Sequence, residues 1–209
     1  MVTNILLCIL IGYLFGCFST GFFIGKIKKV DIRQYGSKSA GTTNALRTLG
    51  AKAGALTLFG DILKAIIAIM LVRYLFFPDL EYVRLLSLYT GLGVVIGHNY
   101  PIWLKFQGGK GIAATAGAMV AFDPLIIPIG LPIFVLSVAI TRYVSVGSLI
   151  IAILFPTWIA IRNPGNIHML LVALIYTLLA FIKHRSNIKR IINGTENKLG
   201  QRVQIDNKG

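Results

Sequence analysis

Apolar runs alternate with short polar segments along the whole chain. A run of about 20 apolar residues is enough for an α-helix to cross the hydrocarbon core of a bilayer. The pattern predicts an all-α integral membrane protein with seven transmembrane helices, at residues 4–25, 53–77, 85–104, 112–122, 125–140, 146–161 and 168–182. The fourth segment is too short to cross a bilayer straight, so we expect a half-depth or tilted helix beside other protein.

The composition agrees with a membrane protein of one domain. Of the 209 residues, 56% are hydrophobic and 13% are charged, whereas soluble domains carry about 25% charged residues. We expect a single polytopic domain over residues 1–209, with a basic tail at about 183–209. Because no basic residue precedes the first apolar segment, we expect an uncleaved span rather than a signal peptide. Cys8 and Cys17 lie inside this span and are expected to pack as small hydrophobic residues.

Lysine and arginine are distributed unevenly between the two sides of the predicted bundle. Polar segments 26–52 and 105–111 and the tail hold most of them, while the other side has Arg73, Arg84 and Arg162. Because short cytoplasmic loops carry the excess of positive charge, the N-terminus is predicted outside and the C-terminus in the cytoplasm. The formal net charge is +14. Since the basic residues sit between apolar spans, we expect anionic lipid headgroups and anionic substrates as partners, and no nucleic acid.

The first candidate site is the segment 36–47, Gly-Ser-Lys-Ser-Ala-Gly-Thr-Thr-Asn-Ala-Leu-Arg. Glycines such as Gly36 and Gly41 let the backbone approach an anion, and the free N–H groups at a helix start attract phosphate. Asn44 and Arg47 are three positions apart and would share a face of the following helix. An ordinary capped surface helix in a solvated basic loop would explain the same residues.

The second candidate site combines Gly-His-Asn-Tyr-Pro at 97–101 with Phe-Gln-Gly-Gly-Lys-Gly at 106–111. Three glycines around Lys110 offer backbone N–H donors and a point charge to an oxygen anion. The segment is not a Walker A loop, because Gly111 replaces the hydroxyl residue that would hold magnesium. A flexible turn with a snorkelling lysine is the alternative. His98 by itself is more typical of a helix end than of a metal site, because no second ligand stands at metal-binding spacing.

Two further polar segments follow at the same side of the membrane. Ser145 lies in Arg-Tyr-Val-Ser-Val-Gly-Ser at 142–148, where a hydroxyl could also simply bond a helix carbonyl. His-Arg-Ser-Asn-Ile-Lys-Arg at 184–190, continuing to Gly-Thr-Glu at 194–196, is equally well explained by a basic helix that binds lipid phosphates.

Asp61 and Lys64 are charged residues in the middle of the second predicted span. An isolated charge at the bilayer centre costs about 2.5–3.5 kcal/mol on insertion scales. Because the two residues are three positions apart, we expect them to pair and to form scaffold for the site.

Together these segments resemble the PlsY-type family of bacterial acyl-phosphate:glycerol-3-phosphate acyltransferases. The most specific parts are residues 41–47, 108–111 and 184–188, in the family's order and separated by apolar spans. The resemblance covers nearly the whole chain, from 16–21 to 194–196. It implies a seven-helix membrane fold whose site opens to the cytoplasm, in the bacterial cytoplasmic membrane. One departure concerns the first segment, where the family's Gly-Ser-Gly-Asn-Pro-Gly is replaced by Gly-Ser-Lys-Ser-Ala-Gly at 36–41.

The resemblance implies transfer of a fatty acyl group from acyl phosphate to glycerol 3-phosphate, giving 1-acylglycerol 3-phosphate (lysophosphatidic acid) and phosphate, the first acylation of phospholipid synthesis. No cofactor and no metal are expected. By motif position the catalytic residues would be Ser37, Arg47, Lys110, Ser145, His184 and Asn187. The substrate-binding residues would be Gly36, Gly41, Thr43, Asn44, His98, Gly108, Gly109, Gly111, Arg185 and Glu196.

The chemistry of an acyl phosphate suits these residue types. The donor is already activated, so the protein must mainly position two anions and offset their repulsion, for which Arg47, Lys110 and Arg185 supply positive charge. Ser37, Ser145 and loop amides can donate hydrogen bonds to the developing oxyanion. The proton of the attacking hydroxyl could pass to His184, to Asn187 through water, or to a substrate phosphate oxygen.

Other function classes fit the sequence less well. A soluble-type glycerophosphate acyltransferase would show aspartate five positions after a histidine, where this chain has Trp103 and Lys189. A transporter for an organic phosphate would suit basic loops and buried charges, but the chain has no inverted repeat. A lipid-binding scaffold would explain the basic loops but not the glycine-rich segments. The sequence leaves the acyl-chain length and the oligomeric state open, and a monomer is compatible with it.

Overall fold

The computed structural model describes residues 1–203, and this range is helical without a β-strand. The α-helices in it are α1 (Val2–Cys17), α2 (Thr20–Ile27), α3 (Thr42–Leu49), α4 (Ala51–Leu71), α5 (Val83–Asn99), α6 (Ile112–Phe122), α7 (Ile127–Thr141), α8 (Val144–Arg162) and α9 (Ile167–Ile192). A π-helical turn, Val72–Phe76, extends α4, and short 3₁₀ turns lie at Ile32–Gln34, Ile102–Leu104 and Pro124–Ile126. Residues 204–209 of the predicted tail lie outside the described residues.

Each of the seven predicted apolar segments forms helix. Five stretches are long and apolar enough to cross a membrane: Val2–Ile27, Ala51–Phe76, Pro124–Thr141, Val144–Arg162 and Ile167–Ile192. Helix α5 has 17 residues and α6 has 11. At 1.5 Å per residue α6 rises about 16 Å, roughly half of a 30 Å hydrocarbon core. The chain is an all-α, multi-pass membrane protein, and its fourth segment is the short helix that the sequence predicts.

The first predicted span is broken near its middle, which the sequence did not predict. Phe18 and Ser19 are extended and separate α1 from α2. Lys64 donates hydrogen bonds from Nζ to the carbonyl oxygens of Phe18 (2.6 Å) and Gly16 (3.2 Å). Carbonyl groups at a helix end lack intrahelical donors, so this lysine of α4 stabilises the break.

Two predicted helix ends are also corrected. Helix α5 ends at Asn99 rather than at 104, because Pro101 lacks an N–H and disfavours helical backbone at Tyr100. Helix α9 continues to Ile192 rather than ending at 182, so the first part of the predicted basic tail is helical.

Glycines allow α1 and α5 to pack closely. A Cβ added at Gly12 would collide with the Thr90 carbonyl, and one at Gly97 with the Tyr13 carbonyl. Small residues at such contacts are the usual way in which membrane helices approach each other. The larger core lies among α4, α5, α6, α8 and α9, where Tyr176 donates to the Leu88 carbonyl at 2.6 Å.

The outer surface of the bundle is strongly apolar. Large side chains such as Leu10, Phe59, Leu136 and Leu178 are exposed there, as expected of helices solvated by lipid. Cys8 and Cys17 are buried, free thiols, in agreement with their predicted packing role.

Candidate active site

The four polar segments predicted from the sequence meet at one end of the bundle, here called the polar end. The first glycine loop (residues 36–41) and the second glycine loop (residues 108–111) lie there, together with the segment 193–203 that follows α9. Backbone hydrogen bonds join these parts, from Ala40 N–H to the Gly108 carbonyl (3.4 Å), from Leu199 to Arg142 (2.7 Å) and from Val203 to Arg47 (3.1 Å).

Asn44 holds the first glycine loop in place. It is 1% exposed, and its Nδ2 donates to the carbonyl oxygens of Ile32 (2.7 Å) and Ser39 (2.8 Å). Its Oδ1 accepts the N–H of Ser37 (3.0 Å). The amide is thus committed to the loop, and Asn44 shapes the site rather than facing a ligand. Gly36 has φ of +57° beside it, where a Cβ would crowd Oδ1 of Asn44.

Lys38 marks the departure from the family's loop pattern. It adopts φ of +55° and donates its N–H to the Tyr35 carbonyl at 3.0 Å. A residue with a Cβ is strained by roughly 1–2 kcal/mol in this left-handed region, and glycine is not. The loop therefore keeps a conformation that suits the family's glycine.

The second glycine loop lies against the end of α5. Gly108 and Gly109 donate their N–H groups to the carbonyls of Asn99 (3.3 Å) and His98 (3.0 Å), which the end of the helix leaves without intrahelical donors. A Cβ at Gly109 would collide with Nε2 of His98. Because these two N–H groups already donate to α5, they are not free to bind an anion as the sequence predicted. Gly108 and Gly109 matter here because they lack a side chain. Gly111 is the N-cap of α6, with φ of +85°.

A hydrogen-bonded network of four predicted residues lies next to this loop. Lys110 donates from Nζ to Oδ1 of Asn187 (2.6 Å), and Nδ2 of Asn187 donates to Oε1 of Glu196 (2.7 Å). Ser145 donates from Oγ to the same Oε1 (2.9 Å). Arg190, which the sequence interpretation did not select, donates from Nε to Oε2 of Glu196 (2.7 Å). The network joins the start of α6, the start of α8 and the end of α9.

The surroundings of this network shift the pKa values of Lys110 and Glu196. Burial lowers the pKa of Lys110 to about 8, with Arg190 and Arg47 acting in the same direction and Glu196 opposing them. Burial raises the pKa of Glu196, but hydrogen bonds from Asn187, Ser145 and Arg190 outweigh it and leave the pKa below its usual value. Glu196 is therefore a carboxylate that positions its neighbours, and it does not face a phosphate.

Arg47, on α3, is a further basic residue at the polar end. It shares the buried face of that helix with Asn44, as predicted, and is 7% exposed. Its Nη2 donates to the Asn197 carbonyl at 3.0 Å, so the segment after α9 passes directly beside the guanidinium.

His184 is buried on the face of α9 that carries Asn187. Its Nδ1 lies 2.8 Å from the Ala180 carbonyl oxygen. Because a carbonyl can only accept, the hydrogen is assigned to Nδ1, which leaves Nε2 as a hydrogen-bond acceptor.

The remaining predicted residues lie at the edge of the site. Ser37 and Thr43 are half-buried, in the first glycine loop and in the first turn of α3. Gly41, the N-cap of α3, donates its N–H to Oγ of Ser39 (3.3 Å). Arg185 is exposed, because its position on α9 is turned away from the buried face.

Lys183 is a second basic residue that the sequence interpretation missed. Its Nζ donates to the Asn99 carbonyl (3.0 Å) and lies 4.3 Å from the Tyr100 ring centre. Lys183, Asn187 and Arg190 follow a helical spacing, so a correct end for α9 would have revealed both missed residues.

Asp61, Lys64 and His98 form a buried cluster beneath the second glycine loop. Nζ of Lys64 lies 2.9 Å from Oδ1 of Asp61 and 2.9 Å from Nδ1 of His98. Thr20 donates to the same carboxylate at 3.2 Å. The predicted buried pair is confirmed, and His98 connects it to the loop through its contact with Gly109.

The arrangement is suited to binding a phosphate group. Arg47, Lys110, Lys183 and Arg190 converge on the polar end, and the carboxylate among them, Glu196, is held by three hydrogen bonds. Cations that are partly desolvated bind anions more strongly than exposed ones do.

Comparisons with known proteins show similar proteins over nearly the whole chain. A family model described as glycerol-3-phosphate acyltransferase matches residues 6–194. The chain is 43% identical over 203 residues to a glycerol-3-phosphate acyltransferase of Clostridioides difficile (strain 630), covering 93% of this chain and 95% of that protein. It is 42% identical over 197 residues to one of Thermoanaerobacter pseudethanolicus, covering 94% and 96%.

Two solved structures have the same fold. The crystal structure of PlsY (YgiH), an integral membrane glycerol 3-phosphate acyltransferase, in its glycerol 3-phosphate form, superposes with a TM-score of 0.84 at 33% identity, covering 94% of this chain and 96% of that one. Its lysophosphatidic acid form gives 0.82 at 32% identity, covering 94% and 95%. This chain belongs to the glycerol-3-phosphate acyltransferase family.

Proposed function

We propose that this protein transfers a fatty acyl group from acyl phosphate to glycerol 3-phosphate, forming 1-acylglycerol 3-phosphate and inorganic phosphate. The observation that carries the proposal is the network of Lys110, Asn187, Glu196 and Ser145 beside Arg47, at one end of a lipid-facing helical bundle. The family relationship and the substrate and product named for the PlsY crystal forms support it.

The reaction requires one bond to form and one to break. The terminal hydroxyl oxygen of glycerol 3-phosphate attacks the acyl carbonyl carbon, the bond from that carbon to the phosphate oxygen breaks, and phosphate leaves. Because the donor is an activated mixed anhydride, the protein contributes mainly position and charge. Arg47 can bind one phosphate through two parallel hydrogen bonds from its guanidinium group. Lys110 can stabilise the charge of the leaving phosphate with its ammonium group.

The developing oxyanion needs hydrogen-bond donors. Ser37 carries a hydroxyl in the first glycine loop, and the first-turn N–H groups of α6 have no acceptor within their own helix. Ser145, which the sequence also suggested, already donates its hydroxyl hydrogen to Glu196 and is therefore a positioning residue. The amides of Gly108 and Gly109 are excluded from this role, because they already donate to α5.

Two of the three proton acceptors suggested by the sequence remain. Asn187 is committed through both amide atoms, to Lys110 and to Glu196, so it is a positioning residue. Nε2 of His184 and an oxygen of the substrate phosphate remain. His184→Gln distinguishes them: a loss of about 100-fold or more in kcat, as expected for removal of a general base, selects His184, and a smaller loss selects the phosphate.

The membrane placement belongs to the same proposal. The polar end faces the cytoplasm, the N-terminus lies outside, and all seven apolar segments cross or enter the bacterial cytoplasmic membrane. This orientation puts the Lys- and Arg-rich segments inside and gives the site access to a soluble anionic acceptor. The acyl chain would lie between the helices or in lipid.

The proposal is tested with purified protein in detergent, palmitoyl phosphate and radiolabelled glycerol 3-phosphate. Labelled 1-acylglycerol 3-phosphate and phosphate should form in equal amounts, without coenzyme A and without loss on addition of EDTA. Equal or better use of palmitoyl-coenzyme A would overturn the donor assignment. In proteoliposomes, uptake of glycerol 3-phosphate without acylation would favour the transporter alternative instead.

A further inference from the structure

A cleft of about 560 Å³ lies at the end of the bundle opposite the active site, and we call it the far cleft. It is bounded by the ends of α4, α6 and α8 and the start of α5. Its volume falls within the roughly 300–1,000 Å³ that small-ligand sites occupy.

Arg73, Arg84 and Arg162 all line the far cleft. These are the three basic residues that the sequence places on this side of the membrane, and they come from three different elements, the turn after α4, α5 and α8. Arginine is scarce on the non-cytoplasmic side of membrane proteins, so the convergence of all three on one cleft calls for a local anionic partner.

The protein itself supplies little of that negative charge. Within the described residues, Asp123 is the carboxylate that lines the cleft, and it is shared between Arg162 (3.1 Å from Nε) and Trp158 (3.2 Å from Nε1). Arg84 and Arg73 instead lie over aromatic rings, at 4.9 Å from Phe122 and 5.5 Å from Tyr74. The acidic residues of the neighbouring turn, Asp79 and Glu81, are exposed and do not line the cleft.

The far cleft lies where α6 ends. Helix α6 ends at Phe122, and Asp123, the next residue, pairs with Arg162, the last residue of α8. The cleft is therefore level with the end of a helix that is long and apolar enough to cross a membrane, where lipid headgroups meet the hydrocarbon core. The apolar side chains of Ile66, Met70 and Val120 lie on its wall. A cleft with a cationic rim and an apolar wall at this level matches one ligand class, a phospholipid with its phosphate at the arginines.

We propose that the far cleft binds the phosphate of an anionic phospholipid from the outer leaflet, with the lipid's acyl region against α4 and α6. The leaflet assignment rests on the orientation proposed above, whereas the lipid contact does not depend on the acyl-transfer reaction. The bound lipid would fill the far cleft and hold the outer ends of α4, α5 and α8 together.

The test uses purified full-length protein in detergent and a phosphatidylglycerol that carries a photoreactive diazirine near the glycerol backbone. Cross-links should map to the ends of α4 and α6, residues 66–74 and 120–122. The double variant Arg73→Gln/Arg84→Gln removes two guanidinium groups that form no ion pair within the described residues, so it leaves no carboxylate unpaired. Its cross-link yield at these peptides should fall about tenfold or more, as expected for two lost charge-assisted contacts.

The control variant Lys28→Gln/Lys29→Gln makes the same change in charge at the opposite end and should keep the wild-type yield. Acyl transfer in detergent should persist in both variants and serves as the check of folding. If Arg73→Gln/Arg84→Gln does not fold, the variant Arg73→Lys/Arg84→Lys takes its place. It keeps the charge and should retain a substantial part of the cross-link yield.

Three results would overturn the proposal. They are equal labelling by a diazirine diacylglycerol that lacks phosphate, an unchanged yield in Arg73→Gln/Arg84→Gln, and complete competition by inorganic phosphate. The last result would identify the cleft as a site for a free anion.

Discussion

Nζ of Lys110 lies 2.6 Å from Oδ1 of Asn187, although the two residues are 77 positions apart in the sequence. The contact ties the second glycine loop to the last helix, and Glu196 holds the other end of the Asn187 amide. Lys110 is thus a cation held in position, with a lowered pKa. A phosphate oxygen can replace the neutral Asn187 side chain as its hydrogen-bond acceptor.

Lys110→Ala should chiefly lower kcat, because the lysine is placed to stabilise the leaving phosphate in the transition state. Loss of a charge-assisted hydrogen bond of about 1.5–3 kcal/mol predicts a loss of roughly ten- to hundred-fold in kcat/KM. Steady-state kinetics with both substrates varied would measure it. Near-normal kinetics in correctly folded protein would show that this lysine only holds Asn187 in place and does not stabilise the leaving phosphate.

The same lysine should produce a falling limb in the pH profile. Because burial lowers the pKa of Lys110 to about 8, the charged form that binds phosphate is lost as the pH rises through that value. The kcat/KM of the free enzyme should therefore decrease above about pH 8. Lys110→Arg stays charged and should move that limb to much higher pH. A limb at the same pH in both proteins would assign it to another group.

Arg47→Lys should raise KM for glycerol 3-phosphate more than it lowers kcat. The substitution keeps the charge but replaces the planar fork that can bind a phosphate through two parallel hydrogen bonds. We expect a loss of roughly tenfold or more in kcat/KM. A variant with the same KM and a much lower kcat would place Arg47 on the leaving group instead.

Helix positions and the buried pair could be predicted from the sequence, because they depend on local rules. Hydropathy locates the spans, and the cost of an isolated charge together with the spacing of Asp61 and Lys64 predicts their contact. The break at Phe18 could not be predicted, because the lysine that stabilises it is 46 positions away.

The hydrogen bonds within the site could be predicted only in part, because they also join residues that are far apart in the sequence. Motif similarity selected Lys110, Asn187 and Glu196, but their hydrogen bonds depend on how α6, α8 and α9 pack. Arg185 was selected because it lies within the motif at 184–188, whereas Arg190 lies outside it. Because the last helix was predicted to end at 182, the helical spacing that favours Arg190 was not considered.

Gly109→Ala should impair acyl transfer by about tenfold or more, because the added Cβ would collide with Nε2 of His98 and displace the second glycine loop. Gly130→Ala in α7 is the matched control. Its Cβ would have its nearest neighbour at 3.5 Å, an ordinary contact, so it should keep wild-type kinetics. Equal activity of the two variants would show that the loop moves freely away from His98.

Lys38→Gly should stabilise the protein by about 1 kcal/mol, because Lys38 adopts a positive φ that glycine takes without strain. Lys28→Gly is the control, since Lys28 has φ of −84° and gains nothing from the replacement. Thermal unfolding in detergent should show a higher Tm for Lys38→Gly alone. A fall in Tm with both variants would mean that the flexibility of the unfolded chain outweighs the relief of strain.

Single cysteines at positions 3 and 201 should react from opposite sides of the membrane. Thr3 and Gln201 are exposed, while the native thiols Cys8 and Cys17 are buried and should give little background. An impermeant maleimide added to intact cells should label position 3, and it should label position 201 only after permeabilisation, because seven crossings from an outside N-terminus end in the cytoplasm. Labelling of both positions in intact cells would mean an even number of crossings, with α6, the helix of 11 residues, as the one that fails to cross. In that case the basic segments after α6 would lie outside. The glycine loops and the segment after α9 would then be on opposite sides of the membrane, and the proposed site would be wrong.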